Sequence, residues 1–280
     1  MCKVSIEKTL FVSDLDGTLL NSKQTLSDNT KKTINKLVLN GLSFTFATAR
    51  SLTTAREVTQ GLDLKLPVIV YNGAFIQEYE SGASVMSQTF SQDEKEEILA
   101  EHLRFDLHPR IYALHHGVER FSYEADKLSQ GTRDYLEKRR SDKRAHPTTQ
   151  ERLLDGDVFC FSSIDDYEKM LPLYHVLKQK YHAVLYQDPY TAYFWLEVLP
   201  KRATKADAVL ALKERLAYER VIVFGDEKND LSMFAAADES YAVANADEDV
   251  KRLATDVIAS NDSDGVVSYL CSLYEHYCKT

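Results

Sequence analysis

The sequence predicts an α/β protein, a Rossmann-like parallel-sheet core interrupted by an inserted α+β domain. Three observations carry that prediction. Short apolar, β-prone runs alternate with helix-length amphipathic segments at both ends of the chain. The middle instead shows strand-like runs at hairpin spacing. Finally, 280 residues correspond to two domains at about 150 residues each. The composition is 44% hydrophobic and 28% charged with 10 Gly and 6 Pro, so the chain can bury a core without disulfides or a structural metal.

The elements follow in order. Thr9-Leu10-Phe11-Val12-Ser13 is an apolar run ending in an acidic loop and reads as a buried strand. Ser27 offers an N-cap, Ile34, Leu37 and Val38 fall at helical spacing, and Gly41 supplies the stop. A second strand is expected over 42–47, a helix over about 51–60, and a third strand over 67–71, closed by Asn72-Gly73. Strands separated by helices of this length make βαβ units and a parallel sheet. Further on, strand-like runs at 84–90, 109–115, 118–123, 157–163 and 183–187 surround two helices. One opens with the capping box Ser91-Gln92-Asp93-Glu94. The other runs from about Asp165 to Lys180, with Tyr167, Met170, Leu171, Tyr174 and Leu177 on one face. The last segment returns to the first pattern: a helix near 203–217, a strand at 220–224, a helix from Asp230, short strands near 240–243 and 256–258, and a helix over 264–277. The expected organisation is a discontinuous core over 1–83 and 191–280 with an α+β domain over 84–190.

Charge and cysteines narrow the partners. With 34 Lys plus Arg against 43 Asp plus Glu, the net charge is −9 and the pI about 5.4, which argues against nucleic acid. An anionic substrate would then need a cation in the site. Cys2, Cys160, Cys271 and Cys278 form no CxxC pair and read as reduced thiols of a cytoplasmic protein. The N-terminus lacks the apolar region of a signal peptide. No stretch approaches the roughly 18 apolar residues of a membrane span.

The chemistry-bearing signal is Ser13-Asp14-Leu15-Asp16-Gly17-Thr18, directly after the first strand. Ligands of open parallel sheets bind beyond the carboxyl ends of the strands, and two carboxylates spaced i, i+2 there can converge on one ion or one reacting group. The same residues could also be an acidic turn that ends a strand. A calcium loop is excluded, because Leu19 stands where that loop needs glycine. Gly225-Asp226-Glu227-Lys228-Asn229-Asp230 repeats the arrangement after the strand at 220–224, although Asp at a helix start is also a common cap. Two acidic strand ends in one domain supply hard oxygen donors of the kind that suit Mg²⁺.

Together with Ala47-Thr48-Ala49-Arg50 and with Lys205 in Lys201-Arg202-Ala203-Thr204-Lys205-Ala206, these pieces resemble the haloacid dehalogenase (HAD) superfamily of phosphotransferases. More closely, the chain resembles its Cof-type subfamily of cytosolic sugar-phosphate-type phosphatases. Tyr71-Asn72-Gly73-Ala74, Val243-Ala244-Asn245-Ala246 and Asp264-Gly265-Val266 add to the resemblance. More than half of the chain separates Thr48 from Lys205, where that subfamily carries an α+β C2 cap that sets specificity.

The resemblance implies a Mg²⁺-dependent phosphatase acting on small phosphorylated metabolites. It implies Asp14 as the nucleophile that becomes an aspartyl-phosphate, and Asp16 as general acid and then base. Mg²⁺ would be held by Asp14, the Asp16 backbone carbonyl and Asp226, with Asp230 in support. The phosphoryl oxygens would meet Thr48, the amides of Leu15 and Ala49, Lys205 and Asn229. Ala49 and Ala206 stand where the family usually has glycine, and Arg202 where glycine is common. In the inserted domain Tyr112, His115, His116, Tyr123 and Tyr186 are candidate substrate contacts, although strand aromatics also build cores. The basic run 138–144 reads as a solvated loop or as an attraction for phosphate. A phosphomutase of the phosphomannomutase type and a receiver-like phospho-accepting module are the alternatives. A receiver is far shorter and has no cap.

Overall fold

The computed structural model describes residues 6–187 and 191–278. Cys2, the side chain of Cys278 and the expected domain limit at 190 lie outside the described residues. The chain forms two compact units, Met1–Ser87 with Ala203–Thr280, and Gln88–Arg202.

The first unit begins with β1 (Thr9–Ser13), α1 (Asp28–Leu39), β2 (Ser43–Phe46), α2 (Leu52–Val58), β3 (Val68–Val70), β4 (Phe75–Gln77) and β5 (Ser84–Ser87). The second unit contains α3 (Gln92–Arg104), β6 (Arg110–His115), β7 (Val118–Tyr123), α4 (Gln130–Glu137), β8 (Ala145–Pro147), β9 (Asp157–Asp165), α5 (Tyr167–Leu177), β10 (His182–Gln187) and β11 (Phe194–Leu199). The chain then returns to the first unit through α6 (Lys205–Arg215), β12 (Arg220–Gly225), α7 (Leu231–Ala236), β13 (Glu239–Val243), α8 (Glu248–Leu253), β14 (Asp256–Ile258) and α9 (Gly265–Cys278).

The core sheet has the order β14-β13-β12-β1-β2, with every pair parallel. All five residues of β1 are buried, as a strand between two neighbours in a parallel sheet requires. Side-chain caps start the helices where the sequence suggests: Ser27 accepts from the Thr30 amide, and Ser51 from that of Thr54.

β3 departs from the expected third parallel strand. It joins the main sheet by a bridge from Ala47 to Ile69 and otherwise pairs antiparallel with β4, which pairs with β5. The cause is the turn after it, where Tyr71, Asn72 and Gly73 have φ of 51°, 52° and 98° and reverse the chain. β5 therefore belongs to the core unit. β11 belongs to the inserted unit because it is hydrogen-bonded to both β10 and β9. The inserted unit thus spans Gln88–Arg202 rather than 84–190.

In the inserted unit a six-stranded sheet, β10-β11-β9-β6-β7-β8, is antiparallel except for the β7–β8 pair. Ile98 and Leu99 of α3 and Met170, Leu173 and Leu177 of α5 pack on Ile111, Phe161, Leu196 and Val198. α4, β8 and β11 are additional to the elements that the sequence pattern predicts. α4 has only eight residues, and those it buries are Gly131 and Thr132. Tyr112 is a core residue rather than a free contact: it packs on Phe121 and Phe159 and accepts from Arg110. The basic run is tied locally, Arg144 pairing with Glu119 at 2.6 Å and Asp142 at 2.8 Å. Cys160 and Cys271 are free thiols. Among the described residues, no helix is long and apolar enough to cross a membrane.

Gly73 is where the β3–β4 turn meets α6. A Cβ there would lie 2.1 Å from the carbonyl oxygen of Thr204, the N-cap of α6. Gly73→Ala is expected to cost about 3 kcal/mol in urea unfolding, from strain plus displacement of that backbone. Gly41 also has a positive φ but no neighbour within 4 Å, so Gly41→Ala should cost only about 1 kcal/mol.

Candidate active site

The site is built at the carboxyl end of the parallel sheet, beyond β1, β2 and β12. Asp14 follows β1 in extended conformation, and its amide donates to the Phe224 carbonyl at 2.9 Å. The loop then bends through Asp16 (φ −74°, ψ 121°) and Gly17 (φ 78°, ψ −11°). Glycine is required at 17, because a Cβ would lie 2.1 Å from Asp226 Oδ2. The next residue, Thr18, donates its hydroxyl to Asp226 Oδ1 at 2.7 Å. Asn245 holds the same loop from the other side, donating to the Gly17 carbonyl at 2.8 Å while its Oδ1 accepts from the Asn261 amide at 3.0 Å.

Lys205, the first residue of α6, is buried. Its Nζ donates to Asp14 Oδ1 at 2.6 Å and to Asp230 Oδ1 at 2.7 Å. The other Asp230 oxygen accepts from the amides of Asp226 at 3.0 Å and Glu227 at 3.1 Å. Gly225 admits Asp230 this closely, since a Cβ would fall 2.7 Å from its carboxyl carbon. Asp14, Asp226 and Asp230 each offer an oxygen within 4.8 Å of the others, and all three residues are buried. These hard donors fit a divalent cation such as Mg²⁺. The charge fits as well: with all three ionised, the one ammonium would leave two negative charges for a cation to balance.

Burial pushes the Asp14 carboxyl well above the usual carboxylate range; Lys205 opposes the shift, and the Asp230 and Asp226 charges add to it. Burial also works against the Lys205 charge, but Asp14 and Asp230 outweigh it and hold the ammonium protonated. Asp226 is pushed up to about 7 by burial, with the Thr18 hydrogen bond opposing and Asp230 adding.

The structure brings Asp14, Asp226, Asp230 and Lys205 into one cluster. Thr48 is fully buried on the adjoining strand end, its amide bonded to the Ile69 carbonyl and its Oγ1 accepting from the Arg50 amide at 3.1 Å. Leu15 is buried, while Ala49 and Asn229 are exposed. Ala49 and Ala206 have no positive φ, so alanine fits both positions without strain. Asp16 turns to Arg50, whose Nε and Nη2 donate to its two oxygens at 2.7 and 2.5 Å. Arg50 and Thr18 carry no role in the motif pattern, because their partners Asp16 and Asp226 lie 34 and 208 residues away in the chain. The signal for Arg50 was its place at the end of the second strand, beside Thr48.

A parallel sheet whose carboxyl end gathers acids from β1 and β12, with a second unit inserted between its halves, defines a hydrolase of the haloacid dehalogenase type. The chain belongs to the haloacid dehalogenase-like hydrolases, whose family model matches residues 11–270. It is 28% identical to the 5-amino-6-(5-phospho-D-ribitylamino)uracil phosphatase YwtE of Bacillus subtilis, over 93% of this chain and 96% of that protein. The crystal structure of TM0651 from Thermotoga maritima is similar at a TM-score of 0.74 and 26% identity, covering 92% of this chain and 94% of that one. A haloacid dehalogenase-like hydrolase from Bacteroides thetaiotaomicron is similar at 0.74 and 25%, covering 95% and 99%. The protein is a phosphatase, a phosphoric monoester hydrolase of this superfamily.

The raised Asp226 carboxyl has a sign that can be tested. A group whose folded value lies above its unfolded one binds its proton more tightly when folded. It contributes stability below about pH 4 that is lost as the pH rises toward about 7. With divalent metal chelated, the urea midpoint should fall between pH 5 and 7, with slopes set by Asp226 and Asp14 together. Asp226→Asn should make that fall shallower; an unchanged slope would rule out the assignment.

Proposed function

We propose that the protein is a Mg²⁺-dependent phosphatase that hydrolyses small phosphorylated metabolites, sugar phosphates or similar, through an aspartyl-phosphate on Asp14. The observation that carries this reading is the buried contact of Lys205 with Asp14 and Asp230, with Asp226 beside them. The curated Bacillus subtilis relative is named for a ribityl phosphate, which supports a phosphorylated sugar or polyol as the substrate class. The family is one of hydrolases, which favours neither the phosphomutase nor the phospho-accepting module.

In this reading Lys205 holds one oxygen of Asp14 and leaves the other to attack phosphorus. The P–O bond to the leaving group breaks, and Asp16 gives that oxygen its proton. In the second half, water attacks the aspartyl-phosphate, Asp16 takes a proton from the water, and the bond to Asp14 breaks, returning a carboxylate and inorganic phosphate. Lys205, Thr48, Asn229 and the amides of Leu15 and Ala49 bind the phosphoryl oxygens while charge redistributes. Mg²⁺, held by Asp14, Asp226 and the Asp16 carbonyl with Asp230 in support, would offset the mutual repulsion of carboxylate and phosphate. The Gln88–Arg202 unit is the candidate for selecting the organic part of the substrate.

The experiment is p-nitrophenyl phosphate turnover with Mg²⁺ or EDTA, beside Asp14→Asn and Lys205→Met. EDTA should abolish turnover and Mg²⁺ restore it. Asp14→Asn should lower kcat at least about 10³-fold and Lys205→Met about 10²-fold or more. Unchanged turnover in Asp14→Asn would sink the nucleophile assignment. A panel of phosphorylated sugars, sugar acids, nucleotides and cofactors then identifies the substrate by its kcat/KM.

A further inference from the structure

We propose that Arg50 is a positioning residue for Asp16, holding its carboxylate as the oriented proton acceptor for hydrolysis of the phosphoryl-enzyme. The inference rests on the aspartyl-phosphate reading above and adds a residue to it.

The geometry is a two-point fork. Arg50 Nε meets Asp16 Oδ2 at 2.7 Å and Nη2 meets Oδ1 at 2.5 Å. A planar guanidinium engaged this way fixes the plane of the carboxylate as well as its position. The fork hangs from a rigid base. The Arg50 amide donates to Thr48 Oγ1 at 3.1 Å, and its carbonyl accepts from the Tyr71 amide at 3.0 Å. Arg50 is thereby tied to the ends of both β2 and β3.

Asp16 needs such a holder. Its side chain is 45% exposed, and it stands on a loop that bends at Asp16 and Gly17. Left to solvent, its carboxylate would sample several rotamers, and a base must meet the proton it takes within hydrogen-bond reach. In the observed arrangement the fork holds the carboxylate in one plane, so a water proton can meet it from a fixed direction. That suits the second half-reaction. There the water oxygen bonds to phosphorus, its proton goes to Asp16, and the electron pair of the breaking P–O bond returns to Asp14.

The two half-reactions separate on a substrate whose leaving group needs no proton. With p-nitrophenyl phosphate and Mg²⁺, stopped-flow absorbance reads formation of the phosphoryl-enzyme, and acid quench reads its accumulation. Arg50→Gln should keep the burst rate within about threefold of wild type while the steady-state rate falls about 10- to 100-fold, so that phosphoryl-enzyme accumulates. Arg50→Lys keeps the charge but not the fork, and should recover only part of the loss. Its recovery also shows that the position tolerates substitution in a folded protein. Equal slowing of both phases in Arg50→Gln, or no change in either, would overturn the inference. Asp16→Asn is the control that separates it from its foundation. If that variant accumulates phosphoryl-enzyme and Arg50→Gln does not, Arg50 has no such role. If Asp16→Asn accumulates none either, the aspartyl-phosphate reading itself fails.

Discussion

The Lys205 ammonium, buried between Asp14 and Asp230, is the interaction on which the rest of the site depends. Removing either kind of partner would leave an uncompensated charge in a place water does not reach, and that is among the costliest changes a fold can suffer. The position also opposes a local rule. Lys205 is the first residue of α6, where the helix dipole disfavours a cation. The two carboxylates supply what the helix end does not. Local preference is overruled here by a tertiary arrangement, and such conflicts concentrate at functional sites.

That arrangement imposes constraints outward. For Lys205 to reach both acids, α6 must start against the β3–β4 turn, and only a residue without a side chain permits the approach of Gly73 to the Thr204 carbonyl. Gly17 against Asp226 and Gly225 against Asp230 are the same solution repeated on the other two segments. The 260s loop braces the segments on either side of the start of α1. Asp264, at φ 54°, accepts from Ser27 Oγ at 2.8 Å, Thr30 Oγ1 at 2.9 Å and Asn29 Nδ2 at 2.9 Å, while Asn261 donates to the Leu20 carbonyl at 2.9 Å. Asp264, Asn261 and Asn245 therefore act as clamps on the loop over 14–20 and the start of α1.

The core was legible where a single chain segment carries its own pattern. β1 announced itself by an apolar run with an acidic end, and α1 by the Ser27 cap and the spacing of Ile34 and Leu37. β3 shows the boundary of such reasoning. Val68-Ile69-Val70 is an apolar run, and an apolar run does not encode the direction of its partner; the left-handed turn at Tyr71–Gly73 sends it into a separate antiparallel sheet. α4 escaped because it has only eight residues and buries a glycine and a threonine rather than large apolar side chains. In the site, the acids were visible because they share strand ends, but Thr18 and Arg50, which hold Asp226 and Asp16, were not. The Thr18–Asp226 contact joins residues 208 apart in sequence, and it exists only once β1 and β12 lie side by side.

The two carboxylates of the first motif are spaced to converge on one point, yet the structure gives them different surroundings. Asp14 is buried against an ammonium that also serves Asp230. Asp16 is half exposed and faces a guanidinium. The bend at Asp16 and Gly17 separates them, since a continuing strand would have kept both on one face. A lysine is a point charge that can hold one oxygen of Asp14 and leave the second for phosphorus, whereas an arginine fork occupies both oxygens of Asp16 and fixes their plane. Exchanging the two cations would leave the local charge unaltered and remove both proposed functions: a fork would occupy both oxygens of Asp14, and a single ammonium would let the Asp16 carboxylate rotate. The proposed division of labour between the acids is therefore set by which cation each one meets.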